Sequence, residues 1–197
     1  YAAVPSAIFT SPEVANAGLT EAQANEQQLA LAERSKQVLE VYQDALTRQR
    51  LDALATRLVT AFNAICRKEH LLAAAHIAPH DWQVHMESAD GHALTINDFS
   101  AGERQLYAMA LLWALRQVSG RQLPLTVDAP LARLDQVHRQ RLIRDYVPAV
   151  SEQVLLLATD AELKNGLLAQ AKPYLARLYR LNYNPQQEQT KVTREET

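Results

Sequence analysis

Phe99-Ser100-Ala101-Gly102-Glu103-Arg104-Gln105 opens a stretch that runs without a breaker to Ser119-Gly120, and Leu125-Thr126-Val127-Asp128-Ala129-Pro130 follows it. Ser100 stands where a helix N-cap is expected, with Glu103 three residues on as in a capping box, so a helix is predicted from about Ala101 to Val118. A serine hydroxyl, a glycine that lets backbone approach closely, and free N–H groups at a helix start also make an anion-binding corner. The plainer reading is a capped helix and nothing more. Leu123 to Val127 is a short apolar run broken only by Pro124 and Thr126, the pattern of a buried parallel strand. Asp128 ends that run and Pro130 stops it. The carboxyl end of a parallel strand is where an α/β fold opens its crevice and places Mg²⁺-binding carboxylates, although turns after strands favour aspartate in any case.

Working outward, residues 1–20 mix Pro, Ser, Ala, Thr and Gly without periodicity and are expected to be an irregular lead-in. From Glu21 to Lys68 there is no Gly or Pro. Apolar residues recur at three- and four-residue intervals, including Leu39, Tyr42 and Leu46, then Leu51, Leu54, Leu58 and Phe62. One long amphipathic helix over 21–68 is predicted, a coiled-coil arm whose strict heptad slips between Leu46 and Leu51. A compact lobe is expected over 69–181. Within it, Trp82, Val84 and Met86 lie on one face of a strand, Ser88-Ala89-Asp90-Gly91 makes a turn, and Ala93-Leu94-Thr95-Ile96 returns as a β-hairpin. Further elements are a helix over Gln136–Val147, a buried strand over Val154–Ala158, a helix over Asp160–Ala171, and an edge strand or short helix over Tyr174–Leu181. Residues 182–197 read as a loose polar tail.

The chain has 197 residues, 48% apolar composition and a formal net charge of −2, enough for one well-buried core in a helix-rich α/β fold. Five glycines and eight prolines argue against a many-turned all-β fold. The near-neutral balance supplies no global attraction to nucleic acid, so any DNA contact must come from a local patch. Arg48, Arg50 and Arg57 are the candidate DNA-facing set, whereas Arg139, Arg141 and Arg144 read as a solvated helix face. Cys66 is the only cysteine, which excludes an intrachain disulfide and a cysteine-based metal site and leaves a buried thiol. The six histidines, His70, His76, His80, His85, His92 and His138, never fall in a metal-ligand spacing, although His85 and His92 are expected to face each other across the hairpin. No run approaches the length of a membrane span and Tyr1-Ala2-Ala3-Val4-Pro5 lacks the look of a signal peptide, so no membrane partner and a cytoplasmic location are expected. The missing initiator Met predicts a chain cut from something longer.

The order of these motifs resembles the C-terminal head lobe of SMC-like ABC ATPases. Phe99–Gln105 resembles the signature motif, Leu125–Asp128 the Walker B strand, and Leu131-Ala132-Arg133-Leu134-Asp135 the D-loop that crosses between two heads. Ser-Ala-Gly-Glu-Arg-Gln, Asp-Ala-Pro-Leu-Ala-Arg-Leu-Asp and a Thr159-Asp160 switch are most similar to DndD, the ATPase of bacterial DNA phosphorothioate modification. The resemblance implies ATP and Mg²⁺ as cofactors. Asp128 would hold the metal, and Ser100, Ala101, Gly102, Glu103, Arg104 and Gln105 would close on the nucleotide of a second head. Thr159 would stand at the switch, and Asp135 would reach the facing site. It also implies partners: a missing N-terminal lobe carrying the Walker A loop, a second copy of the head, DNA, and sulfur-modification proteins that nick or modify it.

Two residues depart from the family pattern. Ala129 stands where ABC ATPases place a water-activating glutamate, and Thr159 where they place a histidine. Thr159 can donate a hydrogen bond to a phosphate but cannot titrate near neutrality. Hydrolysis is therefore expected to be slow or to use another group, with Asp135 of the facing head a candidate. The rival expectations are an ABC-derived dimerisation module with weak or no catalysis, an SMC-like ATPase of double-strand-break repair or another defence system, and a helix-rich scaffold whose motifs match by chance.

Overall fold

A computed structural model describes residues 6–8, 14–16, 21–68, 71–163 and 166–195. It divides into two compact units, Tyr1–Gln49 and Arg50–Thr197. In the first, strands β1 (Ser6–Ile8) and β2 (Val14–Asn16) pair antiparallel with Ala7 opposite Ala15. Part of the expected irregular lead-in is therefore a hairpin, and the rest of 1–20 lies outside the described residues. Helix α1 (Glu21–Ile65) ends three residues before the expected boundary. Within the first unit Leu29, Leu31, Val38, Leu39, Val41 and Tyr42 are between 59% and 70% exposed. An apolar side that open on a helix is the look of a coiled-coil seam.

The second unit begins where the heptad spacing slips. From there the apolar side of α1 turns to core, with Leu51 and Ala55 buried and Leu58, Phe62 and Ile65 fully covered. Strands β3 (Ala74–Ile77), β4 (Val84–Glu87) and β5 (Ala93–Leu94) form an antiparallel meander. The hairpin is as expected, but β3 goes unread in the sequence because its Ala-Ala-His-Ile has no alternation to betray it. Trp82 leaves the predicted strand: it sits in the preceding turn at φ 59° and is 64% exposed. His85 pairs with His76, while His92 lies in the turn with its carbonyl on the Ser88 N–H, so the expected His85–His92 pairing does not form. His70 lies outside the described residues, and no group of three metal-capable side chains forms among those that are described.

Helix α2 (Ala101–Ser119) runs as expected and stops at Gly120, whose left-handed φ of 63° lets its N–H turn back to the Arg116 carbonyl. Strands β6 (Leu125–Asp128) and β7 (Val154–Leu157) pair in parallel, Asp128 opposite Leu157. They are half-covered rather than buried on both faces: Leu125, Val127, Val154 and Leu156 face the core, and Thr126, Asp128, Leu155 and Leu157 face outward. Between them, helix α3 (Gln136–Arg141) passes through a π turn over Leu142–Tyr146 into α4 (Val147–Val150), three residues beyond the expected end. Pro148 explains the wide turn, since a proline cannot give the ladder its N–H and its ring crowds the preceding turn.

Two expectations near the C-terminus are corrected. The helix read over Asp160–Ala171 is confined to α5 (Leu167–Ala171), while Asp160–Leu163 forms turns and 164–165 lie outside the described residues. Gly166, with φ 77°, breaks the run. The loose polar tail is instead most of a hairpin, β8 (Leu178–Asn184) with β9 (Gln189–Glu195), in which Leu181 faces Val192. Alternation of Tyr179, Leu181 and Tyr183 with polar residues was the signal, and the four-residue turn at Pro185–Glu188 returns the chain.

The core gathers Leu58, Phe62, Leu72, Phe99, Leu106, Leu131, Leu142, Tyr146 and Val150. Phe62 and Phe99 stack at 5.6 Å and 14°, Tyr107 closes the group at 5.9 Å from Phe99, and Trp113 meets Tyr146 edge-on at 5.6 Å. Among the described residues no helix is long and apolar enough to cross a membrane.

Candidate functional site

Phe99 is 2% exposed and pins the α2 start in the core, so Ser100 must emerge at the surface. The capping box predicted from sequence is complete. The Glu103 N–H donates to Ser100 Oγ at 3.3 Å, and the Ser100 N–H donates to Glu103 Oε2 at 2.8 Å. Glu103 is buried rather than open to a ligand, and its other oxygen takes the Lys68 ammonium at 2.7 Å. Burial pushes the Glu103 carboxyl up, but Lys68 and the Ser100 N–H and hydroxyl outweigh it and hold the group below its ordinary 4.5. A carboxyl depressed on folding stabilises the native state above 4.5 and loses that contribution as pH falls through the folded value. Lys68→Met is therefore expected to start acid unfolding at a higher pH and to cost about 1–2 kcal/mol at neutrality, discounted because the lysine is largely exposed. A pH titration of tryptophan fluorescence checks it; an unchanged acid limb would show that Ser100 suffices alone.

Gly102 has a mechanical reason to be glycine. A Cβ there would stand 3.0 Å from the Arg133 carbonyl oxygen and 3.7 Å from Leu134 Cδ2. The signature-like turn and the D-loop-like segment thus touch through a backbone contact that any side chain would force apart. Gln105 adds a second tie, donating from Nε2 to the Pro130 carbonyl at 2.5 Å. Arg104 turns back, its guanidinium donating to the Phe99 carbonyl at 2.8 Å, and Ala101 is exposed at the first helical position.

Asp128 lies exposed at the carboxyl end of β6, and its carboxylate takes no hydrogen bond or ion pair from the described residues. Ala129 follows at φ 45°, a left-handed conformation costly for a residue with a Cβ, and donates its N–H to the Leu157 carbonyl at 2.9 Å. Asp135 caps α3, accepting the His138 N–H at 2.9 Å. Its carboxylate also meets His138 Nδ1 at 3.0 Å and Arg67 at 3.7 Å, and the His138 backbone N–H is foremost in holding it below the usual carboxylate range. His138 Nε2 accepts the Arg67 N–H at 3.0 Å, so its proton sits on Nδ1, facing Asp135. Arg139 and Arg141 donate to the Leu134 and Cys66 carbonyls and so tie segments of the lobe together, whereas Arg144 is exposed and pairs only with its neighbour Asp145, as a solvated face would have it. Arg57 of the expected DNA-facing set donates to Gln117 Oε1 at 2.8 Å.

Thr159 follows β7, beyond the same carboxyl end of the sheet as Asp128. Its N–H and hydroxyl both donate to Glu162 Oε2, at 2.8 and 3.0 Å. Glu162 is 4% exposed, and its other oxygen accepts the Leu131 N–H at 3.0 Å. Sequence reading passed over Glu162, although Thr159-Asp160-Ala161-Glu162 spells the capping-box pattern. No hydrogen bond among the described residues joins Ser100 to Asp128.

The fold is that of SMC ATPase heads. A chain from work on ATP-driven dimerization and DNA-stimulated activation of SMC ATPases matches over 78% of this chain and 89% of its own length, with 17% identity and TM-score 0.56. An Smc head with coiled coil and joint from Pyrococcus yayanosii matches over 86% of this chain at 17% identity and TM-score 0.62, and this chain spans 32% of it. An Smc head with an extended coiled coil, bound to the C-terminal domain of ScpA, from Pyrococcus furiosus gives 14%, TM-score 0.55, and coverage of 87% and 43%. At sequence level, a profile of the pyridine nucleotide-disulphide oxidoreductase dimerisation domain matches residues 4–83, less than half of the chain and ending before Ser100. No curated protein matches.

Proposed function

We propose that the chain is the C-terminal lobe of an SMC-like ATPase head, most similar to DndD, that holds ATP and Mg²⁺ between two heads and couples their closure to DNA modification or nicking by partner proteins. The observation that carries this reading is the contact of Gly102 on the Arg133 carbonyl, which gathers the signature-like and D-loop-like segments on one side of the lobe. Asp128 supplies the hard oxygen ligand that Mg²⁺ prefers, free of protein partners at a strand end. Mg²⁺ there would neutralise phosphate charge in phosphoryl transfer. Ser100 Oγ and the N–H groups of the first α2 turn suit a phosphate brought by a facing head. The outward Leu155 and Leu157, 54% and 38% exposed, suit packing against a further lobe, and the open apolar side of α1 suits an opposing coiled-coil helix.

A catalytically weak dimerisation module is the second reading, favoured by the strained Ala129 in place of a carboxylate. One substitution addresses ATP-driven closure in both. Ser100→Asp keeps the N-cap, since aspartate caps as well as serine, but sets a negative charge against an incoming phosphate. In the full-length protein it is expected to cost about 1–2 kcal/mol, because Glu103 loses the Ser100 hydroxyl and gains a second carboxylate beside it, and to abolish the ATP-dependent increase in mass seen by light scattering while the protein stays folded. Dimerisation that persists unchanged would sink the signature reading.

A further inference from the structure

Glu162 is a carboxylate buried almost completely among the turns of Asp160–Leu163. A capping box ordinarily secures a long helix, yet Asp160–Leu163 forms turns only, and α5 starts after Gly166. Burying a charge for so short a turn is costly unless the charge does something else. Here its two oxygens are divided. Oε2 receives the Thr159 N–H and hydroxyl, while Oε1 reaches 31 positions back to the Leu131 N–H, the first residue of the D-loop-like segment. Arg139 braces the same joint, donating to the Leu134 carbonyl at 2.8 Å and reaching the Glu162 carbonyl at 3.5 Å.

A carboxylate is a rigid planar fork. Three donors on its two oxygens leave it little freedom to release one segment while keeping the other. Any shift of Thr159 is therefore passed to Leu131, and Leu131 is itself fully buried, so its segment moves as a packed block. From this geometry we infer that Glu162 is a positioning residue that couples the two nucleotide sites of a head dimer, linking the switch-like Thr159 of one site to the D-loop-like segment that faces the other. The inference rests on the ATPase reading above. Its two oxygens are committed to three protein donors, so it acts through the segments it holds.

The test uses the full-length protein and the ATP dependence of its turnover. Glu162→Gln keeps the shape but turns one acceptor into an NH₂ group, which must then confront either Thr159 or Leu131 donors. The wild-type protein is expected to show a Hill coefficient approaching two, the limit for two coupled sites. In Glu162→Gln the coefficient falls to about one and kcat about tenfold, with half-saturation changed by less than about threefold. A loss of folded protein lowers the amplitude and leaves the coefficient alone, so the two effects separate. Thr159→Val, which removes only the hydroxyl bond, provides a milder variant should Glu162→Gln fail to fold, and an intermediate coefficient is expected. Wild-type turnover with a coefficient of one, or folded variants that keep the wild-type coefficient, overturns the inference alone. Absence of turnover in the wild-type protein overturns the ATPase reading, and the inference with it.

Discussion

Asp128→Ala is expected to lower ATP turnover of the full-length protein by about a thousandfold or more while leaving its fold intact. Loss of a metal that neutralises charge on the transferring phosphoryl group removes several kcal/mol of transition-state stabilisation, and each 1.36 kcal/mol is a factor of ten in rate. Most substitutions of that consequence also harm stability, but here the two can be separated on structural grounds. The Asp128 side chain is exposed and takes no bond from the described residues, and the strand it ends is held by pairing with β7 and by the core-facing Val127. Removal of such a group changes stability by only about 0.5 kcal/mol either way. The informative comparison is turnover against thermal midpoint, measured on one preparation with Mg²⁺ varied. Equal background rates in wild type and variant would remove the enzyme reading and leave the dimerisation module.

Ala129 sharpens that experiment. Its φ of 45° turns the chain at the strand end, and its methyl group can neither orient nor deprotonate water. Three carboxylates of the motif segments are also occupied: Glu162 by three donors, Glu103 by Lys68 and Ser100, Asp135 by His138 and Arg67. Of these only Asp135 is substantially exposed, 45% by side chain, which is what the proposed reading requires of a carboxylate offered to a facing head.

How much of this was legible in the sequence depends on the range of the interaction. The α2 cap at Ser100 and Glu103 was readable because a capping box is a local pattern with a fixed spacing, and the parallel β6–β7 pair because two apolar runs flank a helix. The depth of burial on that pair was not. Alternation within four residues shows two faces, but Leu155 and Leu157 are as apolar as the core-facing Val154 and Leu156, so sequence cannot say that the outer face lies open. The turn at Asp160–Leu163 misled for a related reason: its apolar spacing is helical, and Gly166 at φ 77° overrides it. Gly102 was recognised as special for its freedom to approach a ligand, while the structure shows an intrachain carbonyl in that direction, a contact 31 residues away that no local window contains. The ties of Lys68 to Glu103, Arg67 to Asp135 and Glu162 to Leu131 are long-range too, and they hold segments together that no local pattern links.

Phe99→Ala is expected to cost about 3–5 kcal/mol, lowering the folding constant by roughly two to three and a half decades, because it leaves a cavity among residues that cannot collapse into it. Phe99 is 2% exposed and stacks on Phe62 at 5.6 Å, with Tyr107 at 5.9 Å and Leu58 and Leu106 fully buried in the same core. Urea unfolding should show a lower midpoint at an unchanged slope, the mark of altered stability rather than an altered unfolded state. Phe62→Ala alone should cost a similar amount, and the double variant less than the sum, since the stacking contact is lost only once. Phe99→Leu keeps most of the apolar volume and should cost less than about 1.5 kcal/mol. That conservative variant carries the functional half of the prediction: Phe99 is the residue that fixes where Ser100 emerges. A leucine that preserves the fold but lets the capped turn shift should weaken ATP-dependent dimerisation more than it weakens stability. If dimerisation instead follows stability in proportion, Phe99 is a core residue only, and the position of Ser100 is set by Gly102 and Gln105 against the segment that begins at Pro130.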